Sequence, residues 1–220
     1  MNSLNVLYED NHIIVVEKRP NILSQADNTN DLDMLTIIKK YLKDKYKKNG
    51  NVFLGLVHRL DRPVGGVMIF AKTSKAASRL SESIRTGQMH KYYYAIVEGV
   101  FSKKEDVLED CLLKTKDKNV IVNSKEGKDA KLKYKVLKEQ NNMSLLDIEL
   151  YTGRYHQIRV QMSSRNHPIY GDQLYGNRNH KQIALFAYKL SFPHPTTKEQ
   201  LVFSLEPQGD IWNEFLVNKE

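Results

Sequence analysis

His58-Arg59-Leu60-Asp61-Arg62-Pro63-Val64-Gly65-Gly66-Val67-Met68-Ile69-Phe70-Ala71 is the stretch on which the reading of this chain turns. Val67 to Ala71 is a short apolar run of the kind that forms a buried strand, and the proline and paired glycines before it mark a loop. Asp61 is therefore expected on a loop at the mouth of a strand, bracketed by Arg59 and Arg62. A carboxylate held there among cations suits a positioned acceptor or nucleophile. Taken alone, the same residues describe equally well a structural Arg–Asp pair closing a turn.

A second cluster, Thr152-Gly153-Arg154-Tyr155-His156-Gln157-Ile158-Arg159-Val160, repeats the mixture of glycine, arginine and histidine. Between the two lies Lys91-Tyr92-Tyr93-Tyr94-Ala95, and after them come His167-Pro168-Ile169-Tyr170-Gly171-Asp172 and Leu174-Tyr175-Gly176. Taken in order, these segments resemble the RluA-type pseudouridine synthases, whose pattern is an H-R-L-D loop before an apolar strand, a K-x-Y-x-A strand, a G-R-x-H-Q-[IL]-R segment and a G-H-P-I-x-G-D-x-L-Y-G tail. Asp10 to Lys18 fits the family's opening strand pair, so the resemblance covers nearly the whole chain. It implies an α+β pseudouridine synthase fold, a long mixed or antiparallel sheet with flanking helices and a central active-site cleft. Departures lie around the motifs. Val64-Gly65-Gly66 replaces Thr-Ser-Gly, Tyr155 stands where a small hydroxyl residue is common, Gln161 where histidine is common, and Leu185-Phe186-Ala187 where Leu-His-Ala is frequent. Asn166 replaces the first glycine of the tail, and Lys18-Arg19-Pro20-Asn21 departs from Lys-Pro-x-Gly. They bear on which RNA and which uridine are recognised.

The chain has 220 residues, a length suited to one large domain, so residues 1–220 are read as a single catalytic domain. Its opening strand pair (Leu4 to Tyr8, His12 to Glu17) begins almost at Met1, so the S4 RNA-binding module common in the family is not expected. Lysine and arginine number 34 against 26 acidic residues, a net charge of +8 that suits a polyanionic partner. Lysine runs at 39–40, 43–48 and 114–118 read as solvated faces. Cys111 is the sole cysteine, which excludes an internal disulfide and fits a reducing cytoplasm. No apolar stretch reaches the ~20 residues of a membrane span, and the first residues lack a signal pattern.

Helical spacing predicts a helix over 33–48, capped by Asn30 or Asp31, and another over 74–86 stopped by Gly87. Strands are expected at 91–97, at 131–137 paired with 144–151, and near 183–190 and 200–205; a short helix is expected over 156–164.

Pseudouridine formation breaks the N-glycosidic bond, turns the uracil and joins its C5 to C1′ of the same ribose, which needs neither redox chemistry nor an outside atom. The resemblance assigns catalysis to Asp61, Tyr93 and Arg159. Asp61 attacks the sugar or removes a proton from it, Arg159 pairs with Asp61 in a bidentate contact, and Tyr93 stacks on the flipped base and serves the C5 proton. The neighbours Tyr92 and Tyr94 are read as core tyrosines. RNA contacts fall to Arg59, which fills the vacancy left by the flipped base, and to Arg62, Arg154 and His58. His58 and His156 receive no proton role. No metal ligand set and no phosphate loop are present in the sequence, so no metal and no cofactor are implied. The expected partner is RNA, ribosomal or transfer, with neither DNA nor a membrane, and the protein is expected to be a cytoplasmic monomer. The rival reading is a non-catalytic RNA-binding or chaperone-like protein on the same fold, whose sign would be loss of Asp61, Tyr93 or Arg159.

Overall fold

The computed structural model describes residues 4–115, 120–122, 125–178 and 181–216. Of the lysine run at 114–118, residues 116–118 lie outside the described residues. In chain order the elements are β1 (Val6–Glu9), β2 (Ile13–Lys18), α1 (Met34–Tyr46), β3 (Gly55–Leu56), β4 (Gly65–Ala71), α2 (Ser74–Arg85), β5 (His90–Glu98), β6 (Glu105–Lys114), β7 (Val120–Val122), β8 (Lys128–Gln140), β9 (Met143–Leu150), α3 (Gln157–Ser163), β10 (Leu185–Pro193), β11 (Gln200–Ser204) and α4 (Asp210–Leu216). Strands and helices in this proportion make the α+β class expected from the sequence. Contacts gather the chain into two compact units, Met1–His90 with Ala187–Glu206, and Lys91–Phe186 with Pro207–Glu220.

In the first unit β2 pairs antiparallel with β1 and with β4, in a register running from Ile13 opposite Ala71 to Lys18 opposite Gly66. The β1–β2 turn closes because the Asp10 carboxylate accepts the His12 and Ile13 amides at 2.7 and 2.8 Å. Every residue of β4 is buried, as its unbroken apolar run requires. Alternate residues Ile13, Val15, Val67, Ile69 and Ala71 pack against Ala76 and Leu80 of α2 and against Leu190 and Phe192 of β10. Helix α1 is capped by Asp33, whose side chain accepts the Thr36 amide at 3.1 Å, and not by Asn30 or Asp31. Glu9 ties α1 to the sheet: its carboxylate, 6% exposed, accepts Lys45 Nζ, Lys72 Nζ and the Tyr46 hydroxyl, each at 2.7 Å. Burial by itself would raise this carboxyl, but those three donors hold it down at about 2.

In the second unit β5 pairs antiparallel with β9, β9 with β8, β8 with β6 and β6 with β7. The β8–β9 hairpin turns at Asn141 and Asn142, whose φ of 51° and 53° are the left-handed pair such a turn needs. Strands β6 and β7 and helix α4 were not legible in the sequence. β6 reads Glu-Asp-Val-Leu-Glu-Asp-Cys-Leu-Leu-Lys, with buried positions only at Leu108 and Leu112, so its charge masks its alternation. Among the described residues no helix is long and apolar enough to cross a membrane.

Candidate active site

The Asp61 loop is built into the first unit by backbone bonds from three directions. The Ser24 hydroxyl donates to the Leu60 carbonyl at 2.7 Å and accepts the Leu60 amide at 3.1 Å. The Lys18 ammonium, fully buried at the end of β2, donates to the carbonyls of Arg62 (2.9 Å) and Val64 (2.6 Å), and the Asn21 amide also donates to Arg62 O at 2.8 Å. A turn bond from the Val64 amide to Asp61 O, 3.0 Å, closes the loop as it enters β4. Asp61 itself is half-buried, at the mouth of the buried strand. Burial pushes the Lys18 ammonium down to about 7, against the opposing pull of the Asp61 carboxylate and with the Arg62 charge adding to the fall.

The residues flanking Asp61 are engaged by other partners. Arg59 is exposed, and its Nε and Nη2 both donate to Gln25 Oε1, at 3.1 and 2.7 Å. Arg62 pairs with Asp31 at 2.8 Å, both side chains nearly half exposed. His58 Nε2 accepts the Ile69 amide at 3.1 Å, which bonds the imidazole into the β4 backbone.

Tyr93, Arg154 and Arg159 belong to the second unit. Tyr93 sits on β5 opposite Ile148 and is 7% exposed, whereas Tyr92 and Tyr94 are half-buried. The expectation that the two neighbours were the core tyrosines is reversed: the Tyr92 hydroxyl reaches out to Glu149 at 3.4 Å, while Tyr93 turns to the face it shares with Ala95 and Val97, both fully buried. Lys91, two residues before Tyr93, has its ammonium depressed by burial. Arg154 donates through Nε to the Asp129 carbonyl at 2.7 Å.

Arg159 lies on α3, which enters through His156 in a left-handed conformation (φ 54°) and is stitched by buried glutamines. Gln157 accepts from the Thr152 hydroxyl at 2.7 Å and the Arg154 amide at 3.0 Å, and Gln161 donates to Asp110 at 2.7 Å. The Arg159 guanidinium makes a bidentate contact with Asp172: Nε to Oδ2 and Nη2 to Oδ1, both at 2.8 Å. The two side chains are 7% and 0% exposed. Asp172 Oδ1 also accepts the amides of Leu174 and Tyr175, at 2.9 and 3.1 Å. Burial would raise the Asp172 carboxyl, yet Arg159 and the two amides leave it below the usual carboxylate range. The Tyr175 ring lies under the guanidinium at 5.2 Å. Asp172 was not among the expected site residues. Its signal was present in the Tyr170-Gly171-Asp172 tail, where it stands as the sole acid among polar and aromatic neighbours.

Among the described residues no group of three or more histidine, cysteine or acidic side chains is gathered to hold a metal. The arrangement presents a carboxylate on an immobilised loop in one unit, and in the other a buried tyrosine and an arginine whose orientation is imposed by a buried acid.

Comparison with known proteins gives a consistent result. A family model described as RNA pseudouridylate synthase matches residues 12–164, a span containing Asp61, Tyr93 and Arg159. The chain is 33% identical over 218 residues to an uncharacterized RNA pseudouridine synthase of Aquifex aeolicus, covering 92% of this chain and 69% of that protein. It is 32% identical over 211 residues to ribosomal large subunit pseudouridine synthase C of Buchnera aphidicola, with 90% of this chain and 65% of the relative covered. The chain thus spans about two thirds of the length of these relatives. The structure of human RNA pseudouridylate synthase domain containing 4 superposes with a TM-score of 0.77 at 22% identity, covering 91% of this chain and 87% of that one, a likeness of fold.

Proposed function

Because the chain belongs to the RNA pseudouridylate synthase family, we propose that it isomerises uridine to pseudouridine in a structured RNA, ribosomal or transfer, using Asp61, Tyr93 and Arg159 on one substrate. Asp61 supplies the carboxylate, either attacking the ribose or removing a proton from it. The glycosidic bond breaks, the uracil turns and its C5 bonds to C1′. C5 then gives up its proton and N1 carries one, so the formula is unchanged and no redox partner enters. Tyr93 offers a ring to the uracil and a hydroxyl for the C5 proton. Arg159, whose Nε–Nη2 edge is held by Asp172, is paired in this reading with the Asp61 carboxylate. Arg59, Arg62 and Arg154 supply charge to the RNA backbone, with Arg59 exchanging Gln25 for the space the flipped base vacates, and His58 is assigned to the same RNA-binding set. In this reading the 220 residues work as one catalytic domain, a monomer in the cytoplasm.

The observation that supports it best is the Asp61 loop, bonded at Leu60, Arg62 and Val64 so that one carboxylate is held at the mouth of a buried strand. The test is Asp61→Asn, nearly isosteric but unable to act as nucleophile or base. Tritium release from 5-tritiated uridine in RNA should vanish while RNA affinity stays within a few fold, since binding rests on the basic surface. Turnover comparable to the parent would overturn the assignment. Pseudouridine mapping in total RNA from cells with and without the gene identifies the target.

A further inference from the structure

Tyr155 is a large aromatic side chain, 45% exposed, immediately before the helix that carries Arg159. Its ring stacks on that of His156, centroids 3.7 Å apart and planes within 23°. The Lys114 ammonium sits over the Tyr155 ring at 4.3 Å. His156 is itself held fast. Its left-handed φ is maintained while Nδ1 meets the Tyr175 hydroxyl at 2.9 Å, and the Tyr175 ring stands edge-on to it. Tyr175 is fixed in turn, because its hydroxyl accepts the Val120 amide at 3.0 Å, its amide donates to Asp172, and the Arg159 guanidinium covers its face. Tyr155 thus stacks on an imidazole that is held edge-on by Tyr175, whose own face carries Arg159, a chain of contacts anchored at the Arg159 end and exposed at the Tyr155 end.

The exposed Tyr155 ring is backed by a fixed imidazole and has a cation at its face, the two elements of a base-stacking platform beside a phosphate. We propose that Tyr155 is a stacking platform for a base of the substrate RNA that neighbours the reacting uridine, with Lys114 moving from the ring face to the adjoining phosphate. The chemistry is that of single-stranded recognition: an aromatic face for a base, a cation within reach of its backbone, and a rigid support that removes the entropy of ordering the ring. Arg154, exposed at the preceding residue, adds a second cation beside the platform. Such a contact tolerates any base by its π face but requires an unpaired one, so it selects for a loop or bulge next to the target.

This inference rests on RNA being the substrate, and the experiment separates the two. A single-stranded oligouridylate carrying one 2-aminopurine is titrated with the full chain, following fluorescence quenching by stacking and, separately, affinity by filter binding. The parent should bind and quench. Tyr155→Leu, which keeps apolar bulk without a π face, and Tyr155→Ala should lose the quench and weaken binding about 5- to 150-fold, the range a stacked base supports. Tyr155→Phe should restore both. Lys114→Ala should reduce the dependence of log affinity on log salt by roughly one phosphate's worth and leave the quench. Melting curves of each variant confirm folding, and Tyr155→Leu covers the case in which Tyr155→Ala does not fold. Parental affinity and quench in Tyr155→Leu, with parental turnover intact on total RNA, would overturn the platform alone. A parent that neither bound RNA nor turned it over would overturn the platform and the proposed function together.

Discussion

Replacing Asp172 by Asn removes one negative charge from a site with no exposure and leaves every other atom nearly in place. Oδ1 accepts Arg159 Nη2 and two backbone amides, and Oδ2 accepts Arg159 Nε. An asparagine that keeps its carbonyl toward the amides must present its NH2 to the Arg159 Nε–H, donor against donor; the opposite rotamer presents NH2 to the two amides. Either way a buried guanidinium loses the negative charge of Asp172, and breaking one side of a buried pair costs about 3–5 kcal/mol. Against a typical total stability of about 5–15 kcal/mol that is a large fraction. With a urea dependence of about 2 kcal/mol per molar, the midpoint of unfolding should fall by about 2 M. Turnover measured well below that midpoint should also fall, because Arg159 loses the edge that orients it. The double variant Arg159→Met with Asp172→Asn separates the charge pair from the amide bonds, because the asparagine carbonyl still accepts the Leu174 and Tyr175 amides while no buried guanidinium is left facing an amide. It should recover part of the stability lost in Asp172→Asn, but not the activity. A midpoint shift under about 0.3 M for Asp172→Asn, or a double variant no more stable than it, would refute the account of Arg159 as a residue held by Asp172.

Tyr93→Phe should keep RNA affinity and lose most single-turnover rate, whereas Tyr92→Phe, whose hydroxyl faces Glu149, should alter stability more than rate; a Tyr93→Phe protein as fast as the parent would place the wrong tyrosine in the site. Glu9 has a folded-state value of about 2 against an ordinary 4.5, so its contribution, about 3 kcal/mol, is complete above about pH 4.5 and disappears as pH falls toward 2. The stability gap between the parent and Glu9→Gln in urea titrations should therefore close over that window, and a gap independent of pH would contradict the network. Gly66 has φ 136°, and a Cβ there would overlap the Ala187 carbonyl, so Gly66→Ala should cost at least about 3 kcal/mol from strain and overlap combined, read as lost soluble yield or a lowered melting temperature. A melting temperature within about 2 °C of the parent would count against it.

The elements that announced themselves in the sequence are those whose signal is local. Val67 to Ala71 reads as a buried strand, α2 shows its helical spacing and its stop at Gly87, and the polar Glu139 to Asn142 stretch between two alternating runs reads as a turn joining paired strands. In each case hydrophobic period and turn chemistry act over a few residues, and burial only ratifies them. The motif order likewise marks Asp61, Tyr93 and Arg159 as candidates from the sequence. Three things required the folded chain. Asp33 caps α1 because the Leu23–Asp33 bridge sets where the helix begins, a contact that spacing does not encode. Strand β6 is a strand because β8 lies beside it and supplies its antiparallel ladder, with buried Leu108 opposite buried Leu132. The partner of Arg159's guanidinium fork is Asp172, thirteen residues on, because the tail folds back under α3 and buries an acid where the arginine needs one. Residue types and local periods are properties of the chain itself, so sequence determined the family, the strands with clean alternation and the identity of the catalytic candidates. Which charge meets which, and which tyrosine is buried, depend on distances between segments remote along the chain, and only tertiary packing decides those.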